Sequence, residues 1–183
     1  GAIPGKLIRY YTIDRAKDEA KVCKQADIEK CLYRLPEFLK LKDHAECVYI
    51  VEGEKDCETL RKLGSGFGCC TTPGGAADWR KEYAHYFKGL KVVILRDNDE
   101  PGTKAAEKIM KDLKPFAYYV KVVCPSRLKH GDVTDYLTVE GGTADSLKRL
   151  CKEVTEVQFA SCVKLDKDGA ACGINTGILA ETI

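Results

Sequence analysis

From Glu46 onward the chain alternates short unbroken apolar runs with stretches in which apolar residues recur every three or four positions. The runs are Cys47-Val-Tyr-Ile-Val51, Phe67 to Thr71, Lys91 to Leu95 and Tyr118 to Cys124. Consecutive apolar residues of this length predict strands buried on both faces, as in a parallel sheet. Glu54 to Leu63, Trp79 to Phe87 and Thr103 to Leu113 are predicted helices, with Thr143 to Glu153 a last amphipathic one. Cys57, Leu60 and Leu63 have helical spacing and Gly64 supplies the stop. Ala105, Ile109 and Leu113 fall at i, i+4 and i+8 on a predicted inner face. Thr72-Pro-Gly-Gly-Ala76 reads as a turn. Strands alternating with helices build βαβ units, so the expected class is α/β: an open, mostly parallel sheet flanked by helices.

The flanks lack this rhythm. Leu7-Ile-Arg-Tyr-Tyr-Thr-Ile13 predicts a strand and Asp27 to Cys31 a short helical turn. Pro36 biases Leu35 to extended geometry, so Tyr33-Arg-Leu-Pro-Glu37 is expected to break any helix, with a short one following over Phe38 to Lys42. After Val154, room for one strand remains up to Leu165, and then Asp168-Gly-Ala-Ala-Cys-Gly173 and Thr176-Gly177 interrupt any period. The expected organisation is an N-terminal extension packed on the core (1–44), an α/β domain (45–153) and a C-terminal linker or tail (154–183). Such a tail, with a leading Gly1 that reads as a processing scar, is expected of a segment cut from something longer.

Composition narrows the classes. The 183 residues, 44% hydrophobic and 32% charged, fit a soluble globular chain of one ordinary domain with extensions. No run approaches the ~18 apolar residues of a membrane span, and no signal peptide is visible, so a cytoplasmic protein with no membrane partner is expected. The net charge of +2 permits nucleic acid as a partner without demanding it. Ten cysteines include no C-x-x-C pair, which removes zinc-ribbon spacing, and Cys69-Cys70 are adjacent. Cys47, Cys57 and Cys124 lie in apolar surroundings and read as reduced, small hydrophobes. No G-x-x-x-x-G-K-[ST] is present, and Gly64-Ser-Gly-Phe-Gly68 precedes a predicted strand rather than a helix, so neither phosphate-loop motif applies. His44, His85 and His130 are scattered and read as surface residues, with no nucleophile spaced to match them.

Chemistry concentrates where the third apolar run ends, in Val92-Val-Ile-Leu-Arg-Asp-Asn-Asp-Glu-Pro-Gly102. Asp97 and Asp99, one residue apart, repel each other unless a cation sits between them. Hard oxygen ligands at a strand end suit Mg²⁺, which keeps several waters and borrows phosphate oxygens from a substrate. Ligands of open α/β sheets bind beyond the carboxyl ends of the strands, which brings in Glu52 of Val51-Glu-Gly-Glu-Lys-Asp56. Glu54 and Asp56 also read as helix capping, and Asp97-Asn-Asp99 as turn chemistry. An Asp-x-Asp alone is common in loops. Paired with Glu-Gly after another strand, 45 residues earlier, it is far more specific.

Val51-Glu52-Gly53 together with Asp97-Asn98-Asp99 and Gly102 resembles the TOPRIM domain, shared by bacterial and phage primases, type IA and type II topoisomerases and some nucleases. The resemblance is closest to phage- and plasmid-type primase or primase-helicase proteins. Tyr33-Arg-Leu-Pro-Glu37, Thr72-Pro-Gly-Gly-Ala76 with Trp79-Arg80, and Gly131-Asp-Val-Thr-Asp-Tyr-Leu137 extend it over residues 32–140. It implies that Asp97 and Asp99 ligate Mg²⁺, with Mn²⁺ as a substitute. Glu52 is then a further ligand or the general acid/base of nucleotidyl transfer. Asp56, Asp132 and Asp135 become lesser acidic candidates, the last two also reading as an exposed turn and a cap for Tyr136-Leu137. Lys55, Arg80, Lys81, Arg96, Lys104 and Lys129 fall near predicted strand ends or the loops after them. As a set they would contact triphosphate or template backbone, although each alone reads as a solvated charge. The implied activity is that of a DNA primase, a DNA-directed RNA polymerase making short RNA primers on single-stranded DNA from nucleoside triphosphates. The implied partners are template, triphosphates and a helicase domain or protein, and such a domain can be inactive without neighbours to hold its template. The alternatives are a TOPRIM-type Mg²⁺-dependent nuclease and a non-catalytic DNA-binding module. The full carboxylate set argues against the module.

Overall fold

A computed structural model describes residues 30–154 except Asp43 and Ser65, and the short strands at 10–14, 19–23, 157–158, 164–165 and 171–172. The chain divides into two units, Gly1–Lys30 and Cys31–Ile183. In the first, β1 (Tyr10–Asp14) pairs antiparallel with β2 (Glu19–Cys23), Tyr10 opposite Cys23. The strand expected from Leu7 is thus present from Tyr10; residues 7–9, and 27–29 of the expected helical turn, lie outside the described residues.

The second unit opens with α1 (Leu35–Leu41). Here the sequence expectation fails: Leu35 is helical and Pro36 lies in the first turn. A proline there sacrifices no hydrogen bond, because the first N–H groups of a helix have no partner within it. The change of direction is made instead by Arg34, which caps the helix in the left-handed region at φ 57°.

The sheet follows. Strands β3 (Val48–Val51), β4 (Gly68–Cys70), β5 (Lys91–Leu95) and β6 (Tyr119–Val123) are all parallel, in the order β4-β3-β5-β6, and β7 (Val157–Gln158) adds an antiparallel edge beside β6. A two-residue ladder of β8 (Lys164–Leu165) and β9 (Ala171–Cys172) stands apart from it. Every residue of β3 is buried, and so is β5 after Lys91, as continuous apolar runs require. Successive side chains point to opposite faces, which splits the core in two. Val48, Ile50, Val92, Ile94 and Val120 pack with Leu32, Phe38, Trp79, Phe87, Ile109 and Leu113 on one face. Tyr49, Val51, Val93, Leu95 and Val123 pack with Cys57, Leu60, Val133, Leu147 and Cys151 on the other.

The helices are α2 (Glu54–Lys62), α3 (Glu100–Leu113), α4 (Val133–Thr138) and α5 (Ala144–Glu153). Two differ from expectation. Helix α3 starts three residues early, and its buried stripe is Gly102, Ala106, Ile109 and Leu113, with Ala105 only half-buried. No α-helix runs from Trp79 to Phe87; two 3₁₀ stretches, Ala76–Asp78 and Lys81–Phe87, flank an extended Trp79-Arg80. Helix α3 holds Trp79 in that geometry: its indole N–H donates to Asp112 at 3.1 Å, and Lys108 donates to the Trp79 carbonyl at 3.0 Å. Tertiary bonds outweigh local helical preference here.

Candidate active site

The chain leaves β3 to build β4 on one side of it, then crosses to β5 on the other. The cleft above β3 and β5 is therefore the switch point at which open α/β sheets bind ligands. Parallel register sets Val51 beside Leu95, so Glu52 emerges next to Arg96 and one residue from the level of Asp97. Thr71, just past β4, donates its hydroxyl to the carbonyls of Val51 and Glu52 at 2.7 and 3.0 Å and fixes the Glu52 backbone from the far side.

The Asp97-Asn98-Asp99 turn is fixed at both ends. Asp99 caps α3, its Oδ1 accepting the Gly102 N–H at 2.7 Å. Gly102 is required for this wrapping, because a Cβ there would lie 2.9 Å from the Asp97 carbonyl oxygen and 3.1 Å from its nitrogen. Asn98 zips the turn to the 128–131 loop: its N–H donates to the Gly131 carbonyl, its carbonyl accepts from the His130 N–H, and its side-chain amide donates to the Leu128 carbonyl. His130 holds the left-handed region at φ 58° and places Nδ1 3.2 Å from Asp99 Oδ2.

Burial and crowding set the electrostatics. Asp97 is pushed up to about 8, first by burial and then by the surrounding Glu52, Asp56, Asp132 and Asp99. Glu52 is raised by burial and then by Asp99, and its Oε2 is buried with no hydrogen-bond partner. Asp56, 5% exposed, is raised by burial against the opposing pull of a 2.6 Å bond from the Thr134 hydroxyl. Asp99 is the exception, lowered by the Gly102 N–H and then by His130.

Residues 46–123 match the Toprim domain family. Over 99 residues the chain is 34% identical to a DNA primase of Chlamydia pneumoniae, an alignment covering 53% of this chain. The chain spans only 16% of the length of that primase. In fold the chain is similar to part of the Aquifex aeolicus primase structure of zinc-binding and RNA polymerase domains, with TM-score 0.54 and 24% identity over 76% of this chain and 32% of that one. A DNA primase domain from Pseudomonas aeruginosa gives TM-score 0.57 and 18% identity over 85% of this chain and 49% of that one. Residues 46–123 are a Toprim domain.

Around the Toprim carboxylates the structure sorts the remaining candidates. Asp132 and Asp135 form a reciprocal capping box at the start of α4, the helix that carries Tyr136 and Leu137. Asp132 also bonds Lys55 at 2.6 Å. Arg96 is in the cleft, donating to the Asp97 carbonyl at 2.8 Å. Lys104 instead pairs with Glu100 one turn away along α3, both well exposed, and is not drawn to the acidic cluster. Arg80 on the extended pair, Lys81 at the start of the second 3₁₀ stretch and Lys129 on the 128–131 loop are exposed. Thr71 and Thr134 join the site with no sequence signal of their own beyond the Asp-Val-Thr-Asp stretch that contains Thr134, whereas His130, exposed as its sequence suggests, is drawn to Asp99 from its place beside Gly131-Asp132.

The Toprim site suits a divalent cation on two counts. The buried Oε2 of Glu52 has no hydrogen-bond partner, and burial followed by the surrounding carboxylates pushes Asp97 up to about 8, which a bound cation would offset. Among the described residues no three His, Cys, Asp or Glu side chains close into a metal cage. Mg²⁺ needs none, since it holds one or two carboxylates and fills its octahedron with water and phosphate oxygens.

Proposed function

We propose that this chain is the catalytic domain of a DNA primase and that it joins nucleoside triphosphates into short RNA primers on single-stranded DNA. The observation that carries the reading is Glu52, with its unpartnered buried oxygen, beside Asp97 and Asp99 at the switch point of the sheet. Primase relatives in sequence and fold support it. Glu52, Asp97 and Asp99 would hold Mg²⁺, or Mn²⁺ in its place, with Asp56 and Asp132 behind them. The bound ion supplies charge neutralisation for the triphosphate and for the leaving pyrophosphate.

The chain's own residues do the positioning. Glu52, raised by burial and then by Asp99, is placed to accept and return a proton at an attacking 3′-hydroxyl. Arg96 presents a cation at the cleft beside the Asp97 turn, and Lys55, with Lys129 on the loop clamped to Asn98, extends positive charge outward for phosphates of the triphosphate or template. A helicase domain or protein is the natural partner for such a primase, and the chain works in the cytoplasm. Among the described residues no helix is long and apolar enough to cross a membrane.

The test is incubation with single-stranded DNA, labelled nucleoside triphosphates and Mg²⁺ or Mn²⁺. Short labelled RNA products that vanish in Glu52→Gln and Asp97→Asn are expected. Nicking of the DNA with no primer made would overturn the primase reading in favour of a nuclease using the same carboxylates.

A further inference from the structure

Among the described residues the Sγ atoms of Cys57 and Cys69 stand out, lying 3.2 Å apart in direct contact. Cys57 comes from α2, immediately after Asp56, and Cys69 from the middle of β4. Both are buried in the same half of the core, and the Cys69 thiol also donates to the Cys57 carbonyl at 3.2 Å. Cys70, next along β4, points through the sheet to the opposite half, beside Phe38 and Phe87. Strand alternation thus turns Cys70 away from the pair and leaves Cys57 and Cys69 facing each other. The absence of any three-ligand cluster among the described residues leaves the pair too few for structural zinc.

We propose that Cys57 and Cys69 are a dithiol that a peroxide closes into an intramolecular disulfide. One sulfur attacks the peroxide, breaking the O–O bond to give a sulfenic acid and one water. The second sulfur then displaces hydroxide from the first, forming the S–S bond and releasing a second water. Two thiols are oxidised and one peroxide is reduced, so atoms and electrons balance. The sulfurs must close from contact to a bond of about 2.05 Å. Among the described residues β4 is a three-residue strand paired with β3 on one side and only bridged on the other, Tyr33 with Thr71, so local opening of this short edge would admit oxidant to the buried pair. The contact with Cys57 and burial raise the Cys69 thiol, which slows its attack on peroxide. The bond would pin the helix carrying Asp56 to the edge of the sheet. It does not depend on the primase reading.

The full chain is treated with hydrogen peroxide at a dose that oxidises the exposed Cys31, then alkylated, digested with trypsin and mapped by mass spectrometry. The expected product joins the peptide 56–61 to the peptide 63–80, fragmentation placing the link on Cys69 rather than Cys70, and dithiothreitol reverses it. The melting midpoint of the linked protein should rise by roughly 5 °C, because a closed loop restricts the unfolded chain. Cys70→Ser should retain the link and Cys69→Ala should lose it. Wild-type mapping decides even where a variant folds poorly: Cys57 and Cys69 still fully alkylatable after Cys31 is oxidised, or Cys57 linked to another cysteine, overturns the proposal.

Discussion

Asp97 shows what the cluster of carboxylates costs the fold. Its carboxyl titrates near 8 in the folded chain against about 3.9 when unfolded. Between those values the folded state keeps a proton that the unfolded state releases, so stability at this group is lost as pH rises through the window and stays lost above it. Asp97→Asn should therefore stabilise the metal-free protein by about 1–2 kcal/mol at pH 8.5, after screening of a half-buried group, and change little at pH 4. Urea denaturation in chelator at both pH values measures this, and equal effects at the two would mean that charge is not the cause. Glu52, Asp97 and Asp99 were legible in the sequence because each ends a buried run, and a strand end is visible as a break in local pattern. Thr134 was not. It reaches Asp56 across 78 residues, and no spacing at strand or helix period reports such a neighbour.

Elements were legible in proportion to how far burial alone fixes them. The four parallel strands are apolar on both faces and appear as runs, with ends shifted by a residue or so from those expected. Trp79 to Phe87 carries a helical pattern, yet bonds with Asp112 and Lys108 of α3 hold Trp79 extended. Helix α4 is visible in the sequence only through its cap, because six residues are too few to show a period. What specifies α4 is its capping box, in which Asp132 accepts the Asp135 N–H at 2.7 Å. That gives Asp132 two separable duties. Asparagine caps as well as aspartate does, so Asp132→Asn should keep stability within about 0.5 kcal/mol, while Asp132→Ala should cost about 1 kcal/mol. Calorimetric titration with Mn²⁺ reads the second duty: both variants should bind the ion more weakly if the Asp132 charge serves the metal, and neither should if the residue only caps.

For the whole molecule, these features converge on one cleft. The order β4-β3-β5-β6 opens it, the Asn98 contacts with the 128–131 loop close its far wall, and the Thr134–Asp56 and Lys55–Asp132 bonds tie α2 to α4 across its rim. Glu52, Asp97 and Asp99 are neighbours only when the Toprim fold is complete, since 45 residues and two sheet crossings separate Glu52 from Asp97. A cation that binds the assembled cluster binds the folded state alone and stabilises it by mass action. At a hundred times the dissociation constant that amounts to about 2.7 kcal/mol, or roughly 5–10 °C in melting midpoint for a unit of this size. Thermal unfolding with increasing Mg²⁺ should show the rise, and Asp97→Asn with Asp99→Asn should flatten it. Sodium chloride at matched ionic strength separates site binding from screening, because salt relieves repulsion among exposed charges without needing the geometry of the cleft. Equal shifts with the two salts would mean the carboxylates feel a diffuse counter-charge, and the metal-centred account of this cleft would fall with that result.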